Sequence, residues 1–182
     1  HDSQHYAGKL VGIMPSMTDR QQDFAGQLVC ALANEPPITG NSKVIHGDTK
    51  LENALYRRGM PFTMIDWDNL MLGAPILDLA DMLRSVTGQQ RELLPQFRAT
   101  DLLPIIKAYR FGAKSDNQIG LDDHFEQAIS ATRTLSLSLA MRYLVDTTSP
   151  EGQNYFQWDP QKFETAEAHN QFRARRQWLN YL

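Results

Sequence analysis

Residues 44–56 read VIHGDTKLENALY, crowding His46, Asp48, Lys50, Glu52 and Asn53 between apolar neighbours. This pattern constrains the fold more than any other. The apolar flanks must anchor in a core while the polar cluster stays on a loop at its edge, because so many polar groups cannot be buried unpaired. Val44 and Ile45 predict a short buried strand leading into that loop. Residues 54–56 and 61–65 flank the turn sequence RRG and predict a β-hairpin. Such a hairpin returns the chain beside the cluster and delivers Asp66 next to Asn53.

Helical spacing organises much of the rest. Thr18 followed by Gln21 forms a capping-box pattern, with Phe24, Leu28, Ala31 and Leu32 recurring behind it, so a helix is expected over 18–34, ended by NEPPITG. The residues before Thr18 read as loop. After the turn sequence LGAP, the positions Ile76, Leu79, Met82, Leu83 and Val86 predict a helix from near Pro75. Asp101 is placed to cap a helix using Leu102, Ile105, Ile106 and Tyr109. A longer helix is expected over 122–146, apolar almost all round between Leu135 and Val145 and therefore central. Asp159 and Pro160 pattern as the cap and first turn of a last helix reaching Trp178.

Several function classes are disfavoured by composition. With 18 basic and 21 acidic side chains and a net charge of -3, the chain has no basic footprint for nucleic acid. The one cysteine, Cys30 in GQLVCALA, gives no disulfide framework or thiolate cluster and is expected to be a small buried residue. No stretch approaches the roughly 18 apolar residues of a membrane span, and no secretory pattern opens the chain, so no membrane partner and a cytoplasmic location are expected. At 182 residues with 42% hydrophobic content, one domain can bury a sizeable core.

The spacing D-x-K-x-x-N suits phosphoryl transfer, where catalysis is mostly positioning plus neutralisation of moving charge. Asp48 can orient a hydroxyl and accept its proton. Lys50 lies near the same side of an extended loop and can balance negative charge. Asn53 and Asp66 offer the hard oxygen ligands that Mg2+ prefers. Plainer alternatives exist: a polar turn for Asp48 and Asn53, a solvated turn for Asp68, an ordering role for His46, and a helix-capping role for Asp78. Arg142 and Asp146, one turn apart, suit either a sugar hydroxyl or an intrahelical ion pair. Arg173 to Arg176 read as a solvated helix face. A metal-dependent hydrolase built on His46, Asp48 and Asp66 would leave Lys50 and Asn53 without work.

HGDTKLENAL followed by MIDWDNLMLGAPILDLADMLRS resembles the catalytic core of the aminoglycoside phosphotransferase and choline kinase superfamily, which has a protein-kinase-like fold. Within it, the DTK form of the loop, the IDWDNLM stretch and the later LSLAMRYLVDT and NYF are most similar to the N-acetylhexosamine 1-kinase branch, over most of residues 18–180. The resemblance implies that Asp48 is the catalytic base, that Asn53 and Asp66 are magnesium ligands, and that His46 and Asp78 brace the loop. It also implies that Lys50 faces the nucleotide phosphates, that ATP is the co-substrate, and that the acceptor is a hydroxyl of a sugar or amino sugar. Many aminoglycoside enzymes have histidine where Lys50 stands. The lysine therefore favours the sugar-kinase branch or a protein-kinase-like substrate over an antibiotic. WDN after Asp66, and no APE-type segment downstream, argue against a protein substrate.

The fold class so implied is mainly α with a small β-hairpin: the C-terminal lobe of a protein-kinase-like fold, without its N-terminal β-lobe. A single lobe would span 1–182, with the helix at 18–34, catalytic loop and metal-binding hairpin at 44–68, and a helical subdomain at 75–182. Kinases of this fold also use a glycine-rich loop and a strand lysine over the phosphates, and neither pattern stands among the roughly forty residues before the motif. The chain alone is therefore expected to bind nucleotide poorly, with activity belonging to a longer parent. Its exposed inter-lobe face would offer a surface for self-association. The competing reading is a non-catalytic helical binding module derived from a kinase.

Overall fold

The computed structural model describes residues 3–89, 99–112, 121–148 and 160–181. Two compact units emerge, one of residues 36–135 and one combining 1–35 with 136–182. Both are mainly helical, and the first carries two small antiparallel sheets.

In the 36–135 unit the strands are β1 (Lys43–Ile45), β2 (Ala54–Arg57), β3 (Met60–Met64) and β4 (Met71–Gly73). β2 and β3 form the expected hairpin. Its two turn residues, Arg58 and Gly59, both have positive φ (54° and 78°), the twist that a two-residue hairpin turn requires. β1 pairs with β4, placing Val44 opposite Leu72 and Ile45 opposite Met71. β4 was not expected, since its sequence reads as the approach to a turn. Val44 corrects the expectation of a buried strand: it is 71% exposed, whereas Ile45 is buried. A two-stranded ribbon has one covered face, so alternate residues point outward.

Behind the ribbons lie α3 (Ile76–Gln89), α4 (Ala99–Gly112) and the first part of α5 (Leu121–Asp146). Leu79 and Leu83 of α3 pack with Leu102 and Ile106 of α4 and Ala128 of α5. Ala80, Ala131 and Leu135 form a smaller neighbouring cluster. α4 starts at Ala99, so Asp101 lies within its first turn rather than before it.

The other unit joins α1 (Ser3–Ile13), α2 (Asp19–Ala33), the remainder of α5 and α6 (Ala166–Tyr181). Its core includes Leu10, Leu28, Leu137, Met141 and Leu144. α1 replaces the loop expected there. The capping box at the start of α2 is present: the Thr18 N–H donates to Gln21 Oε1 at 2.9 Å. Of the stretch expected to be central, Leu135 to Met141 and Leu144 are buried, whereas Arg142, Tyr143 and Val145 are only partly so. Cys30 is exposed rather than buried. The last helix begins at Ala166, not at Pro160, which sits in a turn. The Thr165 hydroxyl accepts the Ala168 N–H at 3.0 Å and so caps it. The side chains of Asp101 and Asp122, together with Asp159 and the NYF segment at 154–156, lie outside the described residues. Among the described residues no helix is long and apolar enough to cross a membrane.

Candidate active site

The polar loop is built on β1 and held from α3. Ile45 plugs into the core, and the next two backbone N–H groups, of His46 and Gly47, donate to Asp78 Oδ2 and Oδ1, both at 2.9 Å. One carboxylate thus satisfies two donors on a stretch that is itself buried. Gly47 has φ of 78°, and a Cβ there would stand 2.5 Å from the Asn69 carbonyl oxygen, so no other residue fits. His46 spends both ring nitrogens on backbone: Nδ1 accepts the Asp48 N–H at 3.3 Å, and Nε2 donates to the Ile65 carbonyl at 2.9 Å. One tautomer serves both bonds and ties the Asp48 loop to the chain entering Asp66. The Trp67 indole lies 4.5 Å from the imidazole, centroid to centroid. The Thr49 hydroxyl donates to the Asp78 carbonyl, and the Leu51 N–H donates to Ser85 Oγ at 2.8 Å.

These anchors bring four of the sequence-derived residues together. Lys50 Nζ donates to Asp48 Oδ2 at 2.7 Å. Asn53 Nδ2 reaches the same Asp48 oxygen at 3.0 Å, the Asp48 carbonyl at 2.9 Å and Asp66 Oδ2 at 3.4 Å. Both donors fall on one oxygen of Asp48, and Oδ1 is left without a partner among the described residues. The hairpin base is closed by the Ile65 N–H donating to the Asn53 carbonyl at 2.9 Å. Asp66 then takes a left-handed backbone (φ 65°, ψ 55°), a conformation that aspartate tolerates better than most residues.

Burial alone would lower the Lys50 pKa. The hydrogen bond to Asp48, and the fields of Asp48, Asp66 and Asp81, outweigh it and raise the ammonium above its ordinary value. Lys50 is therefore a firmly protonated cation set among carboxylates.

The donor set fits a magnesium ion that keeps much of its shell for water and phosphate. With Asn53 Nδ2 committed to Asp48, the amide oxygen Oδ1 and the Asp66 carboxylate are the hard donors. Among the described residues no group of three or more His, Cys, Asp or Glu side chains is arranged for a metal. The commitment of both His46 nitrogens to backbone disfavours the hydrolase alternative.

Arg142 and Asp146 lie in the other unit, on α5. They form an ion pair at 4.0 Å, Arg142 Nε to Asp146 Oδ2. Burial pushes the Asp146 carboxyl up, although Arg142, Arg173 and Lys9 pull the other way. Arg173 does not simply face solvent as expected: its guanidinium lies 3.9 Å from the centroid of the Tyr143 ring. Ser85 and Glu52 were missed as site residues. Their sequence signal was slight, a serine two helical turns after Asp78.

A model of the phosphotransferase enzyme family matches residues 6–113, a span that includes every residue of the cluster from His46 to Asp78. The chain belongs to this family. Comparison with curated proteins and with solved structures gave no match. For a phosphotransferase the matched span is informative, because it covers both polar motifs and the helix that clamps them. The C-terminal stretches that resemble the sugar-kinase branch lie beyond it.

Proposed function

We propose that this phosphotransferase chain is the C-terminal lobe of a protein-kinase-like enzyme that moves the γ-phosphoryl group of ATP to a hydroxyl of a sugar or amino sugar. The N-acetylhexosamines are the first acceptors to test. One observation carries the reading: Lys50 and Asn53 both donate to a single oxygen of Asp48 and leave its other oxygen open, while the same Asn53 amide reaches Asp66. Asp48 Oδ1 orients the acceptor hydroxyl and takes its proton as the oxygen–phosphorus bond forms and the bond to the ADP oxygen breaks. The proton then passes to solvent. Lys50 carries its charge toward the transferring group, held in place by Asp48. Magnesium bound at Asn53 and Asp66 would neutralise the nucleotide phosphates. Arg142 and Asp146 are proposed as acceptor contacts, and the lobe's exposed apolar side chains, such as Phe62 and Leu72, as a surface for self-association.

Asp48→Asn in the intact protein is the test, with Mg-ATP and a panel of N-acetylhexosamines, amino sugars and amino alcohols. Turnover should fall by about 10²–10⁴, the usual worth of a general base, with the thermal midpoint little changed. Wild-type turnover by the variant would remove Asp48 from the mechanism. Calorimetry with Mg-ATP on the intact protein separates this reading from a non-catalytic module, which would bind no nucleotide; the lobe alone is expected to bind it poorly on either reading.

A further inference from the structure

The loop hangs from α3 at two places, and the first is Asp78. The second is Ser85, two turns along the same helix face and buried. Its oxygen accepts the Leu51 N–H at 2.8 Å, and its hydroxyl hydrogen is directed to Glu52 Oε2 at 3.4 Å. Leu51 opens the single 3-10 turn of 51–53, closed by the Asn53 N–H donating to the Lys50 carbonyl at 2.9 Å.

Position decides what this bond does. The anchors from Asp78, His46 and Thr49 all grip residues 46–49, before Lys50. The Leu51 N–H lies between Lys50 and Asn53, the two residues whose side chains meet on Asp48 Oδ2. First-turn N–H groups have no partner within their own turn, so without Ser85 this one is an orphan. A serine inside a helix usually turns back to its own backbone. Among the described residues Ser85 reaches out to the loop and to Glu52 instead.

We propose that Ser85 is a positioning residue for phosphoryl transfer: it fixes the start of the 51–53 turn and thereby sets Lys50 and Asn53 against Asp48, with Glu52 orienting its hydroxyl. The proposal rests on the assignment of Asp48 and its neighbours to phosphoryl transfer. A merely structural serine would change the thermal midpoint while leaving the folded enzyme's kinetics intact.

The experiment uses the intact protein with Mg-ATP and N-acetylglucosamine as the probe acceptor. Ser85→Ala should lower kcat about tenfold or more, since displacements near 1 Å at such sites cost up to about 10²-fold. KM for the acceptor should stay within about twofold, because uniform binding is untouched. The magnesium concentration for half-maximal rate should rise several-fold. Ser85→Thr, which keeps the hydroxyl, should restore most of kcat. Ser85→Cys, nearly isosteric but a weak acceptor, should reproduce the loss and covers the case in which the alanine variant unfolds. Amide exchange read by NMR needs no turnover: Leu51 should lose protection at least tenfold while Gly47, held by Asp78, keeps it. Wild-type kcat in both Ser85→Ala and Ser85→Cys, or unchanged Leu51 exchange in them, overturns the proposal. Asp48→Asn in the same assay keeps the two ideas apart, since an active Asp48→Asn enzyme sinks the phosphoryl-transfer reading whatever Ser85 does to Leu51.

Discussion

Removing the Asp78 carboxylate should be among the most damaging single changes in the 36–135 unit. Its two oxygens accept the N–H groups of His46 and Gly47, both at 2.9 Å, and both of those residues are buried. Hydrogen bonds to a charged group contribute about 1.5–3 kcal/mol each, and stranding the buried donors adds its own penalty. Asp78 is itself only half-buried, so water can recover part of the loss. A net cost of about 2–4 kcal/mol for Asp78→Ala follows, a large share of the ~5–15 kcal/mol that holds an ordinary domain together. Asp78→Asn should fare little better, because its amide keeps one acceptor and turns a donor toward the second N–H. Urea titration followed by fluorescence measures the cost, and amide exchange at His46 and Gly47 locates it. A loss below about 1 kcal/mol with both amides still protected would refute the reasoning.

Further outcomes follow from other features of the site and the helices. Gly47→Ala should cost about 1–3 kcal/mol or more by urea titration, since it adds left-handed strain to a contact of 2.5 Å with the Asn69 carbonyl oxygen. The Lys50 pKa is raised on folding, so its pairing with Asp48 supports the fold below the ordinary lysine value of 10.5 and loses that support as pH rises through the folded value. The stability difference between wild type and Lys50→Met should therefore be flat from pH 7 to about 10 and shrink above. Asp146 is likewise raised, from 3.8, so its contribution is greatest in acid and declines as pH rises through its folded value. Asp146→Asn should remove that decline, visible in urea midpoints compared between pH 4 and 7.

Sequence pattern exposed which residues meet at the loop more fully than what suspends it. The meeting of Asp48, Asn53 and Asp66 was legible because one hairpin, marked by RRG, returns the chain over a short distance. Which oxygen of Asp48 takes both donors was not, nor was the left-handed backbone at Asp66, because these depend on atomic placement. Ser85 escaped notice because its partner Leu51 is 34 residues away, and a serine within a helical pattern carries no mark of what it touches. The fold divided in the same way. The capping box at Thr18 and the long periodic helices were readable, since their signals are local and repeated. α1 was not, for only Ala7 and Leu10 of it are buried. β4 is three residues whose meaning comes entirely from pairing with β1. The last helix shows two local signals in the sequence: Asp159 with Pro160 offers an earlier start, and the helix of 166–181 is capped at Thr165.

The α3 helix faces two ways. Leu79 and Leu83 look into the hydrophobic cluster, while Asp78 and Ser85 lie on the opposite side and grip the loop. An inserted residue between Pro75 and Asp78 would turn everything after it by about 100° against its surroundings. Oil and water would then exchange places on the same rod, so helical phase is the gauge of this unit, and length changes here should be tolerated far less readily than substitutions.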